Sequence, residues 1–320
     1  MRVLLTGGSG MLGAAILRLA PTAAPDLTLL APTRRQLDLA DRAAVAGWYA
    51  SNPVDAVIHA AARVGGIQAN IDDPTGFLLD NLRINDAVIA GGNEAGVGRL
   101  LFLGSSCMYP RDHRQPLVEA DMLAAPLEPT NEGYALSKIA GARLCDYISR
   151  QFPGRAYRTI VPCNLFGAGD HFGSAASHLL AAIVTKVVEA QADGRDEIEV
   201  WGTGAARREF MDVDHLARFI LTVLPRLPDL PPLLNVGAGR DHSVDDYYRI
   251  VADRAGWSGR LVHDPARPEG MAAKLMSSDR ARLFGWVPPT TAEFEASIDA
   301  ALSARRRQMA ESEPALPGGR

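Results

Sequence analysis

The stretch Thr6-Gly7-Gly8-Ser9-Gly10-Met11-Leu12-Gly13 constrains the fold more than any other part of this chain. It lies between an apolar run at 2–5, which reads as a strand, and a helical-period segment at 11–19. Its glycines satisfy two spacings at once, Gly7-x-x-Gly10-x-x-Gly13 and Gly8-x-Gly10-x-x-Gly13. Both serve one need. Backbone without side chains can approach a pyrophosphate closely, and the following helix presents free N–H groups and the positive end of its dipole. A glycine triplet alone is weak evidence, but a strand before it and a helix after it supply the required context.

The alternation continues along the chain. Residues 27–31, 56–59, 100–104 and 157–162 read as further strands, and 42–51, 77–96 and 134–151 as helices. This predicts an α/β fold, a doubly wound parallel (Rossmann) sheet with ligands beyond the carboxyl ends of its strands. After Asn164 the pattern loosens. There is a glycine-containing loop at 167–177, then helices at 179–191, 208–225 and 243–255 with strands at 198–201 and 233–236. Residues 1–166 and 209–239 are expected to form the nucleotide-binding domain. Residues 167–208 and 240–304 form a smaller, discontinuous C-terminal α/β substrate lobe. Residues 305–320, polar and ending in Gly-Gly-Arg, read as a disordered tail.

Composition sets the outer limits. Of 320 residues, 47% are hydrophobic, enough for a sizeable core. The formal net charge of −4 leaves no basic footprint for nucleic acid, so an anionic ligand must be held by a few local Arg or Lys residues. No apolar stretch is long enough to cross a membrane, and the first residues do not read as a signal peptide. Three cysteines, Cys107, Cys145 and Cys163, without a CxxC pair, point to a reducing cytoplasm and to neither disulfides nor structural zinc. The histidines form no metal-like cluster, so no metal is expected.

The end of the second strand selects the cofactor. An acidic residue there would bind a ribose 2′-hydroxyl. This chain has Arg34 and Arg35, and a guanidinium fork pairs with a 2′-phosphate. NADP(H) is therefore the expected cofactor. Asp38 either lies near the adenine or solvates the turn. At the other end, Tyr134 and Lys138 are spaced by four and share a helix face. A nearby ammonium lowers a phenol's pKa, which suits proton donation to a reduced carbonyl. In extended chain Ser105 and Cys107 share a face, so both can point into one pocket.

With these residues on the page, TGGSGMLG (6–13), GSSCMYP (104–110) and YALSK (134–138) resemble the extended short-chain dehydrogenase/reductases. HAAARVGGIQAN (59–70), LEPTNEGYALSKIAG (127–141), SAASH (174–178), VWGTGAARREFMDVDH (200–215) and LNVGAG (234–239) take the likeness to the GDP-L-fucose synthase family within them. The resemblance implies NADPH-dependent epimerisation at C3 and C5 and reduction at C4 of a GDP-4-keto-6-deoxy sugar, by a homodimer joined through two helices per subunit. It implies a reductase triad of Ser105, Tyr134 and Lys138, and an epimerase pair of Cys107 and His178. A 4-ketone acidifies the protons on its neighbouring carbons, and a thiol and an imidazole titrate near enough to neutrality to move them. Cofactor contacts are implied at Gly7, Gly8, Ser9, Gly10, Met11, Leu12, Gly13, Arg34, Asp38, Leu39, Ala60, Ala61, Ala62, Tyr134, Lys138, Asn164 and His178. Substrate contacts are implied at Ser106, Lys186, Trp201, Arg208 and Arg260.

The chain also departs from that family. Gly133 stands where a proline is common, Asp212 replaces a histidine, and the arginine often found before Lys274 is missing. A reductase-only, epimerase-only or colitose-type enzyme on another 4-keto nucleotide sugar is the alternative. A catalytically idle NADP-binding protein is a third reading.

Overall fold

The computed structural model describes residues 1–170, 172, 178–267 and 270–312. Six strands form one fully parallel sheet in the order Leu233–Val236, Ala156–Pro162, Arg99–Leu103, Ala56–His59, Arg2–Thr6 and Thr28–Leu30. Central strands such as Leu100–Leu103 are buried on both faces, so they read as apolar runs rather than as alternating patterns. The strand order reverses beside Arg2–Thr6, whose neighbours are the second and third strands of the chain. That reversal opens a crevice at the carboxyl ends of Arg2–Thr6 and Ala56–His59, where Thr6 and His59 are register partners.

Helices cover the sheet. Pro74–Asn85 packs against Glu132–Gln151, and Met11–Ala23 against Val213–Val223. Asp41 and Asp73 cap their helices, accepting from Ala43, Ala44 and Gly76 amides, each cap contributing about 1 kcal/mol. The helix expected at 77–96 is one continuous rod that starts earlier, at Pro74, and ends at Glu94, and its middle, Asp86–Ala90, widens to π-helix. A short helix, Ile67–Asp72, is an addition to the sequence reading.

A second hydrophobic core is separate from that of the sheet. The helices Leu179–Ala192, Val244–Ala255 and Thr291–Ser312 enclose it, with Phe166, Phe210, Tyr247 and Phe294 in edge-on contact. Its outer edge is a two-stranded parallel ribbon, Glu197–Trp201 beside Arg260–Asp264.

Three expectations need correction. The helix expected at 208–225 begins at Val213, because Arg207–Arg208 and Phe210–Asp212 are short strands and Asp212 caps the helix at the Asp214 amide. Met276, Ala281 and Trp286, assigned by sequence to the substrate lobe, pack on the core of the parallel sheet. Residues 305–312 are helical rather than a disordered tail. Arg305 pairs with Glu189 at 2.6 Å, Arg306 donates to Gln191 and the Ala255 carbonyl, and Met309 packs on the second core. The remainder, 313–320, lies outside the described residues. Among the described residues no helix is long and apolar enough to cross a membrane.

Candidate active site

Gly7 has φ of +74°, and a Cβ there would lie 2.8 Å from the Ala61 nitrogen. A Cβ on Gly13 would lie 2.1 Å from the Gly7 carbonyl oxygen. The turn therefore has no room for side chains at either position. It closes through a Gly10 N–H to Gly7 carbonyl bond of 3.0 Å. Gly10 opens Met11–Ala23 without a side-chain cap, so the first-turn amides of Met11, Leu12 and Gly13 face the crevice end of the helix unclaimed by any cap. Gly8 and exposed Ser9 complete the turn, Ala60 and Ala61 face it from the end of the neighbouring strand, and Ala62 follows them in the chain. This cradle fits a dinucleotide diphosphate.

Arg34 and Arg35 are exposed after Thr28–Leu30 and have no hydrogen-bond or ion-pair partner among the described residues. The turn that carries them is fixed by Gln36, whose side chain accepts from the Thr33 amide and hydroxyl. Asp38 accepts from the Ala40 amide at 3.0 Å, a local turn bond, and Leu39 packs on the main core.

The residues expected to be catalytic meet where Arg99–Leu103 ends against the helix Glu132–Gln151. Lys138 is buried. Its Nζ donates to the Leu103 carbonyl at 2.8 Å and lies 4.8 Å from the Phe102 ring centre and 5.8 Å from that of Tyr134. Burial pulls this lysine down to about 7, and Cys107 acts in the opposite direction. Burial pushes the Tyr134 phenol well up, Cys107 adds to that, and a hydrogen bond with Ser105 pulls it back. The expected lowering of Tyr134 by Lys138 is thus not found, because desolvation outweighs an ammonium that is turned to the Leu103 carbonyl.

Residues 106–108 form a single 3-10 turn, not the extended chain assumed from sequence. Ser105 caps it, accepting from the Cys107 amide at 3.3 Å. The turn still leaves Ser105 and Cys107 half-buried, while Ser106 and Met108 point into the core. The Cys107 Sγ accepts from Asn131 Nδ2 at 3.3 Å and from Lys274 Nζ at 3.8 Å. Neither neighbour was singled out by sequence, although Asn131 lies three residues before Tyr134. His178 is exposed at the start of Leu179–Ala192, and none of its described contacts reaches Cys107. Residues 174–177 of SAASH lie outside the described residues.

At the far end, Lys186 donates to the Glu199 carbonyl at 2.7 Å and lies 5.7 Å from the Trp201 ring centre. Arg267 stacks on that ring at 4.9 Å, a neighbour the sequence reading missed. Trp201 is 47% exposed, so its face is available rather than buried in a domain junction. Arg208 donates to the Met271 carbonyl at 2.5 Å. Arg260 is placed elsewhere. It pairs with Glu197, four register steps along the ribbon from the Asp264–Trp201 pair.

Between these ends lies Glu209, fully buried. Its carboxylate accepts from the Gly239 amide at 2.7 Å and the Met276 amide at 3.1 Å, while burial pushes it up to about 7. Its backbone carbonyl accepts from the Asn164 amide and side chain at 3.2 and 3.0 Å. Sequence held no signal for it, since an acid beside two arginines reads as surface. Cys145 and Cys163 are buried and free.

Residues 3–237 match the model of the NAD dependent epimerase/dehydratase family. The chain belongs to that family. Among curated members, the GDP-L-fucose synthase of Azorhizobium caulinodans is 43% identical over 91% of this chain and 93% of its own. The GDP-L-colitose synthase of Yersinia pseudotuberculosis is 40% identical over 89% and 92%. Among solved members, the NADP-bound GDP-mannoheptose C4 reductase MlghC of Campylobacter jejuni superposes with a TM-score of 0.84. It is 27% identical, covering 96% of this chain and 98% of that one.

Proposed function

We propose that this enzyme is an NADPH-dependent epimerase-reductase. It inverts C3 and C5 of GDP-4-keto-6-deoxy-D-mannose and reduces C4 to give GDP-L-fucose. The observation that carries the reading is one 3-10 turn presenting Ser105 and Cys107 together, facing the helix of Tyr134 and Lys138. One carbonyl, held by the Ser105 and Tyr134 hydroxyls, then serves both reactions. Polarising it acidifies C3 and C5, whose protons Cys107 Sγ and the His178 imidazole carry on opposite faces. Asn131 and Lys274 both donate to the sulfur and hold it toward the cleft. Tyr134 Oη delivers the proton to the reduced oxygen, and Lys138, with its lowered pKa, lies beneath it.

The Gly7–Gly13 cradle and the first turn of Met11–Ala23 hold the cofactor diphosphate, and Arg34 its 2′-phosphate. When bound, NADPH supplies the hydride. Lys186, Trp201 and Arg208 receive the nucleotide of the substrate, joined by Arg267. Two chains pair through the outer faces of Pro74–Asn85 and Glu132–Gln151, where Leu79, Leu136 and Tyr147 are exposed. With its cysteines unpaired, the enzyme works in the cytoplasm.

The test is product NMR on a panel of GDP-, UDP- and dTDP-linked 4-keto sugars with NADPH and with NADH. Deuterium uptake at C3 and C5 in D₂O without NADPH is expected, and no exchange at either carbon would sink the epimerase half. The colitose-type alternative has its own support, in the 40% identical colitose synthase and in the altered surroundings of Lys274. Exchange at C5 with turnover only of a 3-deoxy sugar decides for it.

A further inference from the structure

A buried polar chain links the cofactor turn to the catalytic helix, and its hydrogen bonds run in one direction only. Asn85 Nδ2 donates to the Ser137 carbonyl at 2.9 Å. A carbonyl can only accept, so this bond fixes which way the Asn85 amide faces. Its Oδ1 then faces His59 Nε2 at 3.3 Å, and that nitrogen must carry the proton. His59 Nδ1, 2.8 Å from Thr6 Oγ1, is left as the acceptor of the Thr6 hydroxyl. Thr6 Oγ1 in turn accepts from the Ala61 amide at 3.2 Å. Thr6, His59 and Asn85 are all buried.

Each end of the chain touches the active site. Thr6 directly precedes Gly7, and Ala61 faces the Gly7 turn. Ser137 directly precedes Lys138. The Phe102 ring lies against both His59, at 5.5 Å between centres, and Lys138. Gly141 leaves space for the arrangement, since a Cβ there would lie 3.0 Å from Asn85 Nδ2 and 2.6 Å from the Phe102 ring.

We propose that Thr6, His59 and Asn85 form a directed hydrogen-bond relay that sets the glycine turn and the Lys138 helix turn relative to each other, making these three positioning residues for the reaction. A second cation beside Lys138 would break the relay, because a doubly protonated imidazole has no acceptor to offer Thr6. Burial and Lys138 hold His59 neutral, with its pKa down at about 3. The proposal goes beyond the functional reading and rests on it only for the kinetic readout.

The first test needs no substitution. In the ¹⁵N-labelled protein, His59, identified by the loss of its signals in His59→Gln, is expected as the neutral Nε2–H tautomer, unchanged from about pH 5.5 to 8. An Nδ1–H tautomer, or titration in that range, overturns the relay. The second test is a double-mutant cycle of Thr6→Val and Asn85→Leu, read by NADPH titration. Each single variant is expected to weaken NADPH about fivefold, the double variant no more than the worse single, and Thr6→Ser to restore wild-type binding. The informative variant is Asn85→Leu, because Asn85 contacts neither the glycine turn nor Ala61. Unchanged affinity there, or independent effects in the double variant, overturns the proposal. With the sugar substrate, kcat is expected to fall about tenfold while KM moves less than about twofold. If wild-type protein binds NADPH but turns over no GDP-keto sugar, the functional reading fails, and the tautomer and the cycle still decide the relay.

Discussion

The two ends of this cleft are built from different materials. The cofactor end is backbone: Gly7 and Gly13 leave no room for a methyl group, and an uncapped helix start supplies the amides. The end proposed for the substrate is side chain: Lys186, Trp201 and Arg267 lean on one another at the rim of a two-stranded ribbon. Backbone positions one invariant group, a diphosphate, and tolerates no variation. A rim of long side chains can be re-cut residue by residue for a different sugar nucleotide. Relatives named for fucose, colitose and heptose products are consistent with that division.

The contrast can be broken by experiment, and the largest effect belongs to neither end. Tyr134→Phe is expected to lower kcat about 10²- to 10⁴-fold with NADPH affinity retained. Stopped-flow NADPH oxidation beside a binding titration checks both. Glu209 ties the Gly239 and Met276 amides together on one buried carboxylate. Its folded pKa is raised above the ordinary carboxylate value, so the stability it contributes is fully present below about pH 4.5 and lost as pH rises through about 7. Urea unfolding across that window is expected to show wild type losing about 3 kcal/mol relative to Glu209→Gln, which has no such titration.

Gly13→Ala is expected to weaken NADPH about 10- to 100-fold, since its methyl must displace the Gly7 carbonyl. Trp201→Ala is smaller, raising KM for the sugar nucleotide about fivefold to tenfold with NADPH unmoved. A loss of NADPH affinity there would erase the distinction between the two ends. Arg260→Ala is the smallest. Its guanidinium is 73% exposed and paired with Glu197 at the far end of the ribbon, so KM is expected within about twofold of wild type. A larger rise would bring Arg260 back into the substrate site.

The same division explains what was readable in the chain. The glycine turn is local chemistry, and its spacing, flanking strand and following helix all lie within about twenty residues, the scale on which sequence patterns report. Tyr134 and Lys138 were legible as a helical pair, but their electrostatics were not, because burial by other elements sets them. Ser105 and Cys107 emerged side by side for a different reason from the one expected, a 3-10 turn in place of extended chain. Glu209 was invisible, since its environment comes from Gly237–Gly239 and Met276, far away in sequence. The helix through Ser312 was missed because 305–320 as a whole is polar and ends in Gly-Gly-Arg. In the fold, Arg305 and Arg306 reach back to Glu189, Gln191 and Ala255.

Gly133 bears on how such a chain could be redesigned. It stands at the second position of the helix Glu132–Gln151, one residue before Tyr134. A Cβ there would lie 2.7 Å from the Pro74 carbonyl oxygen. The two helices have closed to a distance that only hydrogen can occupy. Any residue with a side chain placed there would wedge them apart directly behind Tyr134. Any redesign at this position has to move Pro74 first.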